Sequence, residues 1–127
     1  MRWLWAGLFA IAAIACARDV MTVELDAFSG RPNPSWELSE AESRSILQRI
    51  ETAAPVSSPA SEPGLGYRGF VLRHGDVVYR VHAGIVEEQR AGRVRLIRDD
   101  SGIEAELAED ARRRGYDAIV KGVSRGK

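Results

Sequence analysis

The chain has 127 residues, with 18 basic and 18 acidic side chains and no formal net charge. That balance excludes a long-range field for nucleic acid or anionic lipid. All but two of the basic residues are arginine, which we read as the coding bias of a GC-rich genome rather than a binding signal.

The chain opens on MRWLWAGLFAIAAIACA. Arg2 is a short positive region, Trp3 to Ala15 carries no charge, and small residues lead into Cys16. This pattern reads as a secretory signal peptide over residues 1–15, followed by a short tether over 16–19 and one domain over 20–127. The apolar run is shorter than the roughly 20 residues of a membrane span, so a permanent span is disfavoured. Ala13-Ile14-Ala15-Cys16 resembles a bacterial lipobox, in which the cysteine becomes the lipidated first residue, although that pattern prefers leucine where Ala13 stands. Three outcomes are open: lipidation at Cys16, ordinary cleavage before Cys16 or Arg18, and an uncleaved anchor. Cys16 is the only cysteine, so the folded part holds no disulfide and relies on its core. Removing residues 1–15 leaves 112, enough for a single domain with a core of its own.

Val20 to Phe28 alternates, with Met21, Val23, Leu25 and Ala27 on one face, and predicts a half-buried strand. Arg31-Pro32-Asn33-Pro34 cannot continue it, because proline lacks an N–H and restricts the residue before it. Ser39-Glu40-Ala41-Glu42 is a capping box and opens a helix. Ile46, Leu47, Ile50 and Ala54 share one face of that helix, and Pro55 stops it. Residues 53–66 are rich in Pro, Ser, Ala and Gly and read as a long flexible loop.

Three strands are expected next. Tyr67 to Arg73 turns at His74-Gly75-Asp76 into a strand from Val77, with Gly84 as a bulge before Ile85 to Glu88. After a turn at Gln89 to Gly92, Arg93 to Arg98 forms the third. A second helix is expected from about Ser101 to Arg114, with its acids early, its arginines late and Gly115 as the stop. Tyr116 to Lys121 reads as a short final strand. The order β-α-β-β-β-α, with that last strand, gives an α+β fold in two layers: an antiparallel sheet of about four to five strands with both helices on one face.

Several motifs look chemical. Gly64 to Gly69 matches GxGxxG, but it follows a Pro/Ser-rich loop and enters a strand, so its glycines serve turns rather than a nucleotide. Arg68-Gly69-Phe70-Val71 matches the start of an RNA-binding strand motif without the downstream aromatics. His74, Asp76 and His82 are candidates for a base and its orienter, with no nucleophile beside them in sequence. Glu87 and Glu88 sit where alternation sends at least one to solvent. Asp99 and Asp100 are simply the approach to the second helix. Arg93 and Arg95 share a strand face, as an edge guard or as an attractor of acidic partners. No cofactor and no metal site is implied.

The leading candidate for binding is Phe28 to Trp36. Two prolines stiffen it, and Arg31, Asn33 and Trp36 supply a charge, an amide and an aromatic anchor. The structural alternative has Trp36 and Leu38 capping the core while Arg31 pairs with Asp26 or another acid. Phe28 to Trp36, together with Leu65 to Phe70 (LGYRGF), resembles a group of small bacterial proteins of secreted or lipoprotein type. The resemblance covers most of the mature chain and implies export, but no activity, ligand or catalytic residue.

We therefore expect an exported, envelope-associated binding domain, not an enzyme, whose partner is an envelope protein, a peptide or a glycan. It would touch the membrane through Cys16 if that residue is lipidated. The alternatives are a small inhibitor of a secreted hydrolase and a hydrolase built on His74 and Asp76. A lipidated Cys16 would hold the fold close to the bilayer, since three residues reach only about 10 Å.

Overall fold

The computed structural model describes residues 19–58 and 66–123. The expected signal peptide, Cys16 and residues 17 and 18 of the tether lie outside the described residues, as does the middle of the loop, 59–65. The elements are β1 (Thr22–Leu25), β2 (Ser35–Glu37), α1 (Glu40–Thr52), β3 (Phe70–His74), β4 (Val77–His82), β5 (Ile85–Arg90), β6 (Arg93–Arg98) and α2 (Ile103–Arg113). The six strands form one antiparallel sheet in the order β2-β1-β3-β4-β5-β6. The α+β, two-layer reading holds, with more strands than expected.

Alternation explains which face is covered. The registers Val23↔Trp36, Val23↔Leu72, Leu72↔Tyr79 and Tyr79↔Glu88 run one row of side chains across five strands. That row meets Ile46 and Ile50 of α1 and Ile103, Leu107, Ala108 and Ala111 of α2 in a single buried cluster. The opposite face carries Thr22, Glu24, Arg73, Arg80 and Glu87, which are half-buried or exposed. Val71, Val78, Val94 and Leu96 share that face, and of these only Val71 is buried, so the face is mixed and stands without a second layer among the described residues.

Local chemistry sets the ends of the elements. The Ser39 hydroxyl accepts from the Glu42 N–H at 3.1 Å and the Glu42 carboxylate accepts from the Ser39 N–H at 3.3 Å, which completes the capping box. The Ser43 hydroxyl, buried one turn on, accepts from the Met21 N–H at 2.9 Å and pins α1 to the start of β1. Asp99 caps α2 from upstream, accepting from the N–H groups of Ile103 and Glu104 at 2.7 and 2.9 Å.

Three expectations need correction. Gly84 is not a bulge in a long strand. Ala83 and Gly84 both have positive φ, 52° and 83°, which is the backbone of a two-residue hairpin turn, and the strand divides there into β4 and β5. Residues 116–123 form turns rather than a final strand. Arg112 donates to the Val120 and Val123 carbonyls at 3.1 and 2.8 Å, which seats Val120 in the core. Third, Ser35–Glu37 is a strand that followed too closely on Pro34 to be recognised. The Leu25 N–H donates to the Pro34 carbonyl at 2.9 Å, so the proline contributes the one group it still has.

The start of the long loop is also ordered by pairing. The Arg98 N–H donates to Ala54 and the Val56 N–H donates to Leu96, which covers the upper part of the β6 edge. Arg93 and Arg95 stand on the uncovered lower part, where charge discourages strand addition.

Candidate functional site

The segment between β1 and β2 is cross-linked from within by one side chain. The Asn33 Oδ1 accepts from the N–H groups of Ala27 and Phe28 at 3.1 and 2.8 Å. Its Nδ2 donates to Glu24 Oε1 at 3.0 Å and to Asp26 Oδ1 at 3.4 Å. All four contacts tie Asn33 to residues 24–28 on the first arm of the loop, so Asn33 holds the loop and presents no free amide.

Neighbouring cations take up the same carboxylates. Arg68 reaches Asp26 Oδ1 at 2.9 Å and the Phe28 carbonyl at 3.4 Å, and Arg73 reaches Glu24 Oε2 at 2.6 Å. The bond from Asn33 and then that from Arg73 hold the Glu24 carboxyl below its ordinary pKa. Gly69 places Arg68 here. Its φ is +97°, and a Cβ at this position would run into the Val81 carbonyl oxygen and approach His82 Cβ to 2.8 Å. Only glycine lets the chain bend there against β4.

Arg31 is left over. Asp26 is bound to Arg68 and Asn33, and Arg31 makes no ion pair with any described residue. Its guanidinium lies 3.8 Å above the centre of the Phe28 ring. Ser29, Gly30, Arg31 and Pro32 are exposed. The tip therefore presents a stacked, unpaired cation on a backbone fixed by Pro32, Pro34 and Asn33.

Trp36 stands elsewhere. Its ring is buried, its Nε1–H donates to Asp110 Oδ2 at 2.9 Å, it stacks on Tyr116 at 6.1 Å, and the Arg114 guanidinium lies over it at 4.9 Å. Of the three residues expected in the loop, one faces outward, one braces the loop and one anchors the core. The alternative in which Trp36 caps the core is correct, but its pairing of Arg31 with Asp26 is not.

His74 and His82 are not brought together. His74 ends β3 opposite Val77, the first residue of β4, and His82 ends β4 five residues further along, roughly 17 Å by strand rise. His74 contacts Asp19, Asp76 is exposed, and His82 lies against the Tyr67 ring at 5.8 Å. The Tyr67 hydroxyl donates to Glu104 at 2.6 Å, and burial and then that bond push its pKa upward. Among the described residues His74 is engaged with Asp19 and makes no hydrogen bond to Asp76, so these two do not form a base and its orienter. Among the described residues, no group of three or more His, Cys, Asp or Glu is arranged to hold a metal.

One polar cluster was missed from sequence. Glu88 lies on the helix-covered face and is only 8% exposed. Arg95 donates to it at 2.9 Å, and Arg90 lies 3.7 Å away. The signal was present in the alternation, which puts Glu88 on the face of Val86, but the run Glu87-Glu88-Gln89-Arg90 looks solvated throughout.

No family model matches this chain, and no curated protein or solved structure matches it. No described helix is long and apolar enough to cross a membrane.

Proposed function

We propose that the chain is an exported, envelope-associated binding domain rather than an enzyme, and that it meets its partner through the tip Phe28–Pro32. The partner is an envelope protein, a peptide or a glycan. The observation that carries this reading is the division of labour in the loop: Asn33 holds the backbone from within, while Arg31 lies unpaired over Phe28. Such an anchor loses little freedom on binding. The sheet adds a second support. Asp19 enters at one end of β1 and the tip leaves at the other, so a tether at Cys16 would direct the tip away from the bilayer.

The test is photo-crosslinking in cells producing the full chain. A crosslinker at position 31 should give a discrete envelope adduct that one at Arg44, exposed on α1, does not. Equal labelling from both positions would remove the loop from consideration. Intact mass of the membrane-extracted protein decides between lipidation of Cys16 and its removal.

Loop rigidity also favours the inhibitor reading, since a braced loop with an exposed arginine can lie in an active-site cleft. Full activity of secreted proteases and lysozymes at stoichiometric protein would dispose of it.

A further inference from the structure

At the end of the sheet remote from the Phe28–Pro32 tip, a cleft of about 390 Å³ opens between α1 and the sheet. Its size falls in the range of small-ligand sites. One wall is apolar, made by Leu47 and Ile50 of α1 with the ring of Tyr79 at its base. The other wall is polar, made by Glu88, Arg90 and Arg95.

Glu88 explains the polar wall. A buried carboxylate is costly unless paired, and this one gathers a guanidinium from each of two adjacent strands. Arg95 Nη2 lies 2.9 Å from Oε2 and Arg90 Nε lies 3.7 Å from Oε1. Each guanidinium has five N–H donors; Arg95 spends one on Glu88, and Arg90 faces both Glu88 and the Tyr79 hydroxyl, which leaves donors over on both. Both side chains are about half exposed or more, at 46% and 61%, so their remaining donors are open to the cleft mouth. Arg93 shares their face and makes no ion pair with any described residue. Glu51 of α1 also lines the cleft, but it is exposed, so its opposing charge is partly screened by solvent. His74, on the rim of the sheet side, is engaged with Asp19.

We infer that this cleft binds a small amphiphilic carboxylate, its anionic group between Arg90 and Arg95 and its apolar body against Leu47, Ile50 and Tyr79. The planar two-oxygen anion matches the guanidinium edge. The site is separate from the loop tip and does not depend on it.

The experiment is a titration of the full domain with hexanoate, acetate and 1-hexanol, followed by arginine Nε–Hε and methyl resonances. Hexanoate is expected to shift the Arg95 side chain and the Leu47 and Ile50 methyls together. It should bind about tenfold more tightly than acetate, through its methylenes. It should also bind about tenfold more tightly than 1-hexanol, through its charge. Arg95→Ala should erase the preference over 1-hexanol, Leu47→Ala should narrow the preference over acetate, and Arg31→Ala should change neither. Leu47→Ala leaves the ion cluster intact and serves if Arg95→Ala disturbs the fold. Equal binding of hexanoate and acetate, or of hexanoate and 1-hexanol, overturns the inference. So do shifts that avoid the Leu47 and Ile50 methyls.

Discussion

The indole N–H of Trp36 donates to the carboxylate of Asp110 at 2.9 Å, across 74 residues of sequence. This bond joins the edge strand β2 to the last turns of α2. Asp110 also holds Arg113 and Arg114 at 3.5 and 3.2 Å, so one carboxylate organises the end of the helix. Trp36→Phe keeps most of the buried ring but leaves Asp110 without this donor. We expect a loss of about 1.5–3 kcal/mol by urea denaturation. Trp36 emission should report unfolding cooperatively and should be unchanged by Arg31→Ala.

Asn33→Ala removes the acceptor for two backbone N–H groups and should cost about 1–3 kcal/mol. Hydrogen exchange at Ala27 and Phe28 should accelerate most. Asn33→Asp keeps the acceptor but adds a third carboxylate beside Glu24 and Asp26. Its cost should be of similar size at neutral pH and shrink steeply on acidification, whereas that of Asn33→Ala should shrink only by the part owed to the Glu24 bond, because the two backbone N–H groups stay unpaired at any pH. Parallel pH profiles for the two variants would contradict the assignment of the Nδ2 bonds.

Glu24 gives a pH dependence of fixed sign. Its pKa in the fold is lowered from 4.5, chiefly by the Asn33 bond and then by Arg73. A lowered carboxyl contributes stability that is present above its ordinary pKa and is lost as the pH falls through the folded value. Thermal melts should therefore weaken below about pH 4.5. Glu24→Gln should flatten that part of the profile and lower the neutral-pH plateau.

Gly69 and Gly84 both have positive φ, at +97° and +83°, yet substitution should separate them. At Gly84 a Cβ meets open space, so Gly84→Ala should cost only the backbone strain, about 1–2 kcal/mol. At Gly69 the same strain is joined by the collision with Val81 and His82. Gly69→Ala should exceed about 4 kcal/mol, or prevent folding at ordinary temperature. Comparable melting points for the two variants would refute the close approach of Gly69 to β4.

The sequence by itself determined whatever depends on neighbours within a few residues. The Ser39–Glu42 box, the Ile46–Ile50 face of α1, the His74-Gly75-Asp76 turn and the alternation of Val77, Tyr79 and Val81 are local, and each appears in the structure where it was expected. So does the α+β class that follows from their order. Ala54, expected on the same face of α1, lies past the end of the helix and is exposed. Local chemistry misread the Ala83-Gly84 turn, because alanine at positive φ carries no turn signature of its own, and it also missed the strand Ser35–Glu37 and put a strand where residues 116–123 form turns.

Tertiary structure alone decided the pairings between distant segments. It put β1 between β2 and β3, gave Asp26 to Arg68 rather than to Arg31, and turned Trp36 toward Asp110. It also buried Glu88 under two arginines. These choices come from competition among many acids and bases of nearly equal strength. Only the assembled sheet and helices fix which of them are within reach. The loop Phe28 to Trp36 was legible as stiff from its prolines. Which of its residues face inward was settled by the carboxylates and rings that the fold brings to its base.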